Sequence, residues 1–418
     1  MKPTNKFIFC SFIALAVSAV VNSICFGQMY GEVNAEPKVQ PGIEVLLNER
    51  AHELVGKRIG LITNPTGVDH RLRSTIDLLF NQPQLQLTAL FGPEHGVRGN
   101  RPAGASVESY VDEKTGLPVF SLYGKTKKPT AEMLRHVDVL LFDIQDVGVR
   151  PYTYIYTMAY AMQAAAEAGI PFIVLDRPNP LGGLRVEGPV LQPEFSSFIG
   201  LYPIAYVHGM TVGELARFFN QEFNIHADLR VIPMKGWRRD MTFADTGLPW
   251  VPTSPHVPHW FTPLFQATVG AIGELSSVNI GIGYTAPFQL VGAGWIDGDR
   301  LCRVLNELNL PGVLFRPLIY TPFYGGRAGK DLQGVQIHIT DMKKFRPVRT
   351  QIALLYALYH LNAQDSLFVG DLRMFRFAMG TDKVDRAIVQ GSDLQSILSL
   401  ANEGLADFIA KRSRYLIY

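Results

Sequence analysis

Cysteine is scarce in this 418-residue chain: there are three, and two of them, Cys10 and Cys25, fall in the N-terminal segment. That segment reads as a secretory signal. Lys2 and Lys6 precede the apolar run Phe7–Val21, small and polar residues follow as far as Gln28, and Gly27 offers a cleavage point just before Gln28. The run is roughly 15 residues, too few for a comfortable membrane span. A lipidated anchor would need a small residue before Cys25, where Ile24 stands. Soluble export to the periplasm is the expectation, with an uncleaved or lipidated N-terminus as its alternative. Cleavage leaves Cys302 as the only thiol, so the mature chain has no internal disulfide, no Cys-ligated zinc and no CxxC redox pair.

Charge imbalance is missing too. The 39 basic and 37 acidic residues give a formal net charge of +2 and are scattered, which excludes a nucleic-acid-binding field and a basic membrane-surface patch. There is no internal repeat, no low-complexity tract, no GxSxG elbow and no GxxxxGK[ST] loop. GIGYTA, Gly281 to Ala286, matches a dinucleotide fingerprint in letters only, because Pro287 follows at once and leaves no helix N-terminus for a pyrophosphate. His256 and His259 form an HxxH pair with no third ligand nearby. Neither a metal nor a cofactor is expected.

What the chain does have is a buried, alternating pattern. With 47% hydrophobic residues it can close a full core, and its length suggests two domains. Arg58–Thr63, Leu85–Phe91, Val137–Asp143, Pro171–Asp176 and Leu229–Met234 read as strands, most of them continuously apolar, which means a parallel sheet covered on both faces. Between them, Thr130 is placed to cap a helix, Thr153–Ala168 reads as a helix closed by Gly169, and Thr211 with Glu214 makes a T-x-x-E capping box. The capping box assigns Glu214 to structure. VPTSPHVPHWFTP, after Trp250, carries four prolines and marks a domain boundary. A strand at Gly334–Thr340 and amphipathic helices near Val348–His360 and Leu394–Lys411 follow. The expected organisation is a signal (1–27), a linker (28–41), an α/β Rossmann-like domain (42–260) and a smaller α+β domain (261–418).

In doubly wound sheets ligands bind beyond the carboxyl ends of the strands. Those ends are polar here: Asn64 after the first strand; Glu94, His95 and Arg98 in GPEHGVRG; Asp143, Gln145, Asp146 and Arg150 in DIQDVGVR; Asp176, Arg177 and Asn179 in DRPNPLGG; and then Glu187 in RVEGP. Each has a structural reading beside the functional one. Glu94 can cap a helix or pair with Arg98, Asp143 and Asp146 can stabilise loops and pair with arginines, and Asp176 with Arg177 can be one ion pair. Tyr152, Tyr154 and Tyr156 read as helix packing, with a rim tyrosine available to stack on a sugar. Glycosidic cleavage needs two carboxyls about one oxygen, one protonated and one charged, and Glu94 and Glu187 can fill those roles.

At GPEHGVRG, FDIQDVGVRPYTY, VLDRPNPLGG, VEGP, HGMTVGELA, TGLPWV and GVQIHITD the chain resembles the NamZ family of exo-β-N-acetylmuramidases, from about Gly42 to the C-terminus. The resemblance implies release of N-acetylmuramic acid from non-reducing ends of peptidoglycan-derived saccharides in a cleft between two domains, by glutamate catalysis. Glu94 is its first catalytic residue and Glu187, at the VEGP position, its second. It adds His208 to the substrate-binding set of Asn64, His95, Arg98, Asp143, Gln145, Asp146, Arg150, Tyr152, Asp176, Arg177 and Asn179. One stretch departs: where SEGRGT and PFE are expected, the chain has Asn279, Ile280, Gly281, Ile282, Gly283 and Tyr284, and then Gln289, so a carboxylate and an arginine give way to isoleucines. Glu274 lies close enough in sequence to compensate, or to be structural. The alternatives are a weakened sugar-binding member of the family, and an amidase or esterase acting on muropeptides.

Overall fold

The computed structural model describes residues 37–94, 96–99, 109–124, 126–362 and 366–418. The expected signal, most of the expected linker and His95 lie outside them. Val39 is already fully buried, its N–H donating to the Thr246 carbonyl at 3.2 Å, and Gln40 bridges to Lys235. Packing therefore starts a few residues ahead of Gly42, inside the stretch read as linker.

The centre is a seven-stranded sheet in the order β3-β4-β2-β1-β5-β6-β9. Its strands are β1 (Arg58–Thr63), β2 (Gln86–Gly92), β3 (Tyr110–Val111), β4 (Pro118–Ser121), β5 (Val139–Asp143), β6 (Phe172–Leu175) and β9 (Leu229–Ile232). All neighbours are parallel except the edge pair β3–β4. Side chains alternate between the two faces as the apolar runs require. Leu140 and Phe142 join Ile62, Phe91 and the helix Tyr154–Ala168 on one side, while Val139 and Leu141 join Ile59, Leu61 and Leu175 on the other. The α/β, mostly parallel Rossmann-like fold is as the sequence indicates.

The helix signals are realised. Thr130 accepts the Met133 N–H, Gly169 closes its helix in the left-handed region at φ 65°, and both halves of the Thr211–Glu214 capping box are made. The stretch Leu394–Lys411, however, is two helices, Leu394–Ala401 and Leu405–Arg412, parted at Gly404 with φ 73°. An apolar period that runs across such a glycine hides the break.

Chain direction sets the binding crevice. From β1 the chain moves outward to β2 and β4, then returns to the other side of β1 as β5, so strand order reverses about β1. The β1–β5 register places Thr63 beside Asp143 at the carboxyl end. A two-stranded pair, β7 (Glu187–Val190) with β8 (Ala205–Val207), and a three-stranded antiparallel sheet of β10 (Leu290–Ala293), β12 (Leu332–Ile339) and β11 (Val313–Tyr320) complete the strands among the described residues. One apolar core joins Val147, Val149 and Val207 directly to Phe265, Val291, Leu355 and Ile388 of the later chain. No described helix is long and apolar enough to cross a membrane.

Candidate active site

The crevice beyond β1, β2 and β5 is stitched by short polar side chains. Asn64 Oδ1 accepts from the Thr66 N–H at 3.0 Å and from its hydroxyl, and Thr66 Oγ1 accepts the Gln145 N–H at 2.9 Å, which ties the end of β1 to the end of β5. Beside this stitch stands Tyr154, on the first turn of its helix. Its hydroxyl donates to the Thr253 carbonyl at 3.0 Å and hydrogen-bonds Asn64. A cavity of about 200 Å³ opens here, walled by Asn64, Tyr154, Gly99 and the connector Pro252–Pro255.

Glu94 enters this neighbourhood from the end of β2. It hydrogen-bonds the Tyr123 hydroxyl, and its charge acts on Tyr154. Burial raises the pKa of both phenols, and the Glu94 carboxylate raises them further, so both stay protonated as donors. Tyr152 packs edge-on against Tyr154 with ring centroids 5.0 Å apart. On its far side lies a second cavity, of about 400 Å³, whose walls include Tyr152, Tyr206, His256, Gln266, Glu274 and Ile282. Burial raises the Glu274 carboxyl pKa. Beneath the tyrosines is Asp146, whose Oδ2 accepts the Gly148 N–H at 2.7 Å and lies 3.6 Å from His208 Nε2. Since the Met210 N–H donates to His208 Nδ1, the neutral ring carries its proton on Nε2, toward Asp146.

Most of the other sequence candidates form framework instead of facing a ligand. Arg150 is wholly enclosed: Nη1 donates to the carbonyls of Pro189 and Ile204, and Nη2 to that of Ala378. Its burial lowers the pKa to about 10. Asp143 and Arg177 form a buried fork at 2.5 and 2.9 Å, with the Thr75 hydroxyl also donating to Asp143. Asp176 is buried at the head of the helix Val212–Glu222, accepting from Gly213 N–H, the Thr211 hydroxyl and the Tyr418 hydroxyl, and burial raises its pKa to about 6. Asp176 and Arg177 are thus not one ion pair. Arg98 is held by Asp112 and Asp77, not by Glu94. Asn179 accepts the Leu181 N–H and donates to the Met210 carbonyl, Gln145 donates to the carbonyls of Asp146 and Pro178, and His208 is wholly buried. Polar groups at strand ends bond first to one another, because a buried donor or acceptor without a partner is costly.

Glu187 stands apart. At the start of β7 its carboxylate lies 3.8 Å from Arg185 and 3.9 Å from Arg346, and accepts the Val348 N–H at the head of the helix Pro347–Asn362. Burial nevertheless pushes its pKa up to about 7. It lines two other cavities, which share no wall residue with those beside Tyr152 and Tyr154. None of these four cavities is walled by both glutamates.

Tyr123 and the connector residues Thr253 and Ser254 were not singled out by the sequence. The connector's one signal is a pair of hydroxyl residues inside a proline-rich stretch that has no regular structure to cap. The HxxH pair is split: His256 Nε2 meets the Tyr324 hydroxyl at 2.9 Å, while His259 stacks on Phe261. No group of three or more His, Cys, Asp or Glu among the described residues is arranged to hold a metal ion.

Comparison with known proteins agrees with this architecture. Residues 59–261 match the N-terminal family model of exo-β-N-acetylmuramidase NamZ, and residues 264–418 match the C-terminal one. The peptidoglycan β-N-acetylmuramidase NamZ of Bacillus subtilis (strain 168) is 51% identical over 383 residues, covering 92% of each chain. Two crystal structures of DUF1343 family proteins from Bacteroides fragilis superpose with TM-scores of 0.86 and 0.74, at 44% and 29% identity. They cover 92% and 91% of this chain, and 100% and 99% of their own. With both halves matched and half the residues shared over nearly the whole length, the chain belongs to the NamZ family of exo-β-N-acetylmuramidases.

Proposed function

We propose that this glycoside hydrolase releases N-acetylmuramic acid from the non-reducing ends of peptidoglycan fragments, with Glu94 as the carboxyl that transfers the proton. The observation that carries the assignment is the place of Glu94: at the carboxyl end of β2, beside the reversal of strand order, on the Tyr123 hydroxyl and next to Tyr154. Glycosidic cleavage requires an acid at the leaving oxygen and a second, charged carboxyl to attack the anomeric carbon or activate water. Asp146, fixed by Gly148 and faced by His208 beneath Tyr152, is the second group in this reading. Asn64, Tyr152 and Tyr154 supply hydrogen bonds and an aromatic edge for a sugar ring.

The test is turnover of the MurNAc–GlcNAc disaccharide and of a chromogenic muramide by wild type, Glu94→Gln and Asp146→Asn. Wild type should release N-acetylmuramic acid. Each variant should lower kcat by about 10²–10⁴-fold with KM within a few-fold, the span of a lost proton-transferring group. Full activity in Glu94→Gln would remove the assignment. An amidase or esterase reading predicts instead that wild type frees a peptide or an acyl group and leaves the disaccharide whole.

Export belongs to the same proposal. Lys2, Lys6 and the apolar run Phe7–Val21 support delivery to the periplasm, where such saccharides are generated. N-terminal sequencing of the protein recovered from periplasmic extract should begin at Gln28, and recovery only in membrane pellets with Cys25 lipidated would refute it.

A further inference from the structure

Three rim motifs that proton transfer at Glu94 does not use meet one another in the fold: DIQDVGVR at the end of β5, DRPNPLGG after β6 and HGMTVGELA after β8. Their contacts close a ring around Asp146. The Gly148 N–H donates to Asp146 Oδ2 at 2.7 Å. Gly148 sits at φ 82°, and a Cβ there would meet Asn179 Oδ1 at 2.4 Å, so glycine is what lets the two segments approach. The Asn179 amide donates to the Met210 carbonyl at 2.9 Å, and the Met210 N–H donates to His208 Nδ1 at 3.2 Å. The ring ends where it began, with His208 Nε2 3.6 Å from Asp146 Oδ2.

The backbone carrying His208 is pinned from outside as well. The Gly209 carbonyl accepts from Arg412 at 2.7 Å and from Arg239, while on the other side Val207 bridges to Val149. His208 is wholly buried, so it acts on another protein group and not on a ligand. Two atoms of the ring make no hydrogen bond among the described residues: His208 Nε2 and Asp146 Oδ1. They are opposite in kind. Nε2 carries the proton of the neutral ring, and a buried N–H needs an acceptor; the Asp146 carboxylate is the one that faces it. At 3.6 Å the pair stands just beyond hydrogen-bond length, and a slight turn of the carboxylate closes it.

We infer that His208 is a positioning residue of the muramidase reaction: its Nε2–H holds the Asp146 carboxylate through Oδ2 and leaves Oδ1 for the anomeric carbon or the attacking water. The inference rests on the reading of Asp146 as the charged carboxyl. A neutral donor suits that task, because it orients the carboxylate without adding a formal charge that would damp its attack. The loop itself selects the neutral form. A protonated ring would set a second N–H against that of Met210.

Two amides separate the two ring nitrogens. In His208→Gln the amide N–H stands in for Nε2–H, and the acceptor for Met210 is lost. In His208→Asn the acceptor for Met210 is kept, and the donor to Asp146 is lost. With MurNAc–GlcNAc and the full-length mature chain, His208→Asn should lower kcat by about 10²-fold, the scale of a displaced reacting group, with KM within about twofold. His208→Gln should hold kcat within about fivefold, although it gives up more thermal stability. A purely structural histidine predicts the reverse order, because Asn preserves the loop's own hydrogen bond. When Asp146 is already Asn, His208→Asn should cost under about twofold more, since the pair acts as one unit. Wild-type kcat in His208→Asn, or its full loss repeated in the double variant, overturns this inference alone. If His208→Asn does not fold, His208→Gln decides: kcat near wild type supports the inference, and a loss of about 10²-fold overturns it. Wild-type kcat in Asp146→Asn removes the reading of Asp146 and takes this inference with it.

Discussion

Glu94 and Glu187 sit in similar surroundings in sequence, each in a glycine- and proline-flanked turn, yet the fold treats them in opposite ways. Glu94 is placed among tyrosine hydroxyls at the carboxyl edge of the parallel sheet, beside a solvent-reaching cavity. Glu187 is largely buried, faced by two arginines and the head of a helix at the wall of two other cavities, and carries a pKa of about 7. Judged by titration alone, Glu187 would be the general acid. The proposed assignment rests on position instead, because a perturbed pKa also arises wherever a structural carboxyl is stripped of water. A shifted group is evidence of a catalytic site only when its place in the fold supports the same reading.

That contrast can be broken or sharpened in four ways. Glu94→Gln should cost the most, about 10³-fold in kcat or roughly 4 kcal/mol of barrier, while unfolding stability changes by under about 0.5 kcal/mol; kinetics and urea titration of the same preparation check both halves. The next effect is a pH slope. The folded pKa of Glu187, about 7, lies above the ordinary glutamate value of 4.5, so the fold favours its protonated form. Its contribution is therefore fully present at low pH and declines as pH rises from about 4.5 to about 7. The decline is on the order of 3 kcal/mol. Glu187→Gln should remove that component, seen as the difference between wild-type and variant stabilities at pH 5 and pH 7.5. Asp176, raised to about 6, slopes in the same sense but is common to both proteins and cancels.

A smaller change is expected from Glu187→Ala: a loss of about 2–3 kcal/mol of stability, because Arg185 is left enclosed without its counter-charge and the Val348 N–H without its acceptor. Its kcat should stay within about twofold of wild type if position governs function. A kcat loss matching that of Glu94→Gln would erase the distinction between the two glutamates. The smallest effect belongs to Tyr123→Phe, which removes one hydrogen bond to Glu94 and should lower kcat/KM by about three- to tenfold, or about 1 kcal/mol. Because the hydroxyl is the only atom lost, its pH–rate profile should shift without a change in thermal unfolding.

Five strands of the central sheet and their parallel direction were legible because burial on both faces leaves an apolar run, as in β5, where every residue is buried; the short edge strands β3 and β4 were not. The capping box at Thr211 and the Gly169 stop were legible because they are local chemistry. The rim was legible as a region, since chain reversal at the carboxyl edge follows from the strand sequence alone. Which rim residues face a ligand was not. Asp143, Arg177, Asp176 and Arg98 carry the residue types of a binding site, but each meets a partner contributed by a distant segment: Thr75, Val68, Tyr418 and Asp112. Those pairings depend on tertiary approach, which no local pattern encodes. The same holds for Tyr123, which reaches Glu94 from the loop after β4, and for Glu187, whose two arginines come from separate halves of the chain.

Arg150 carries a consequence for motion. Its guanidinium binds carbonyls from three segments, Pro189, Ile204 and Ala378, the last in the half of the chain matched by the C-terminal family model, and no part of it meets solvent. Swinging the two halves apart about a hinge would break the Arg150–Ala378 hydrogen bond and open the apolar core that the halves share to water. Substrate entry and product exit then fall to the wall of the crevice, where the proline-rich connector at Pro252–Pro255 lies, while the body beneath it holds still.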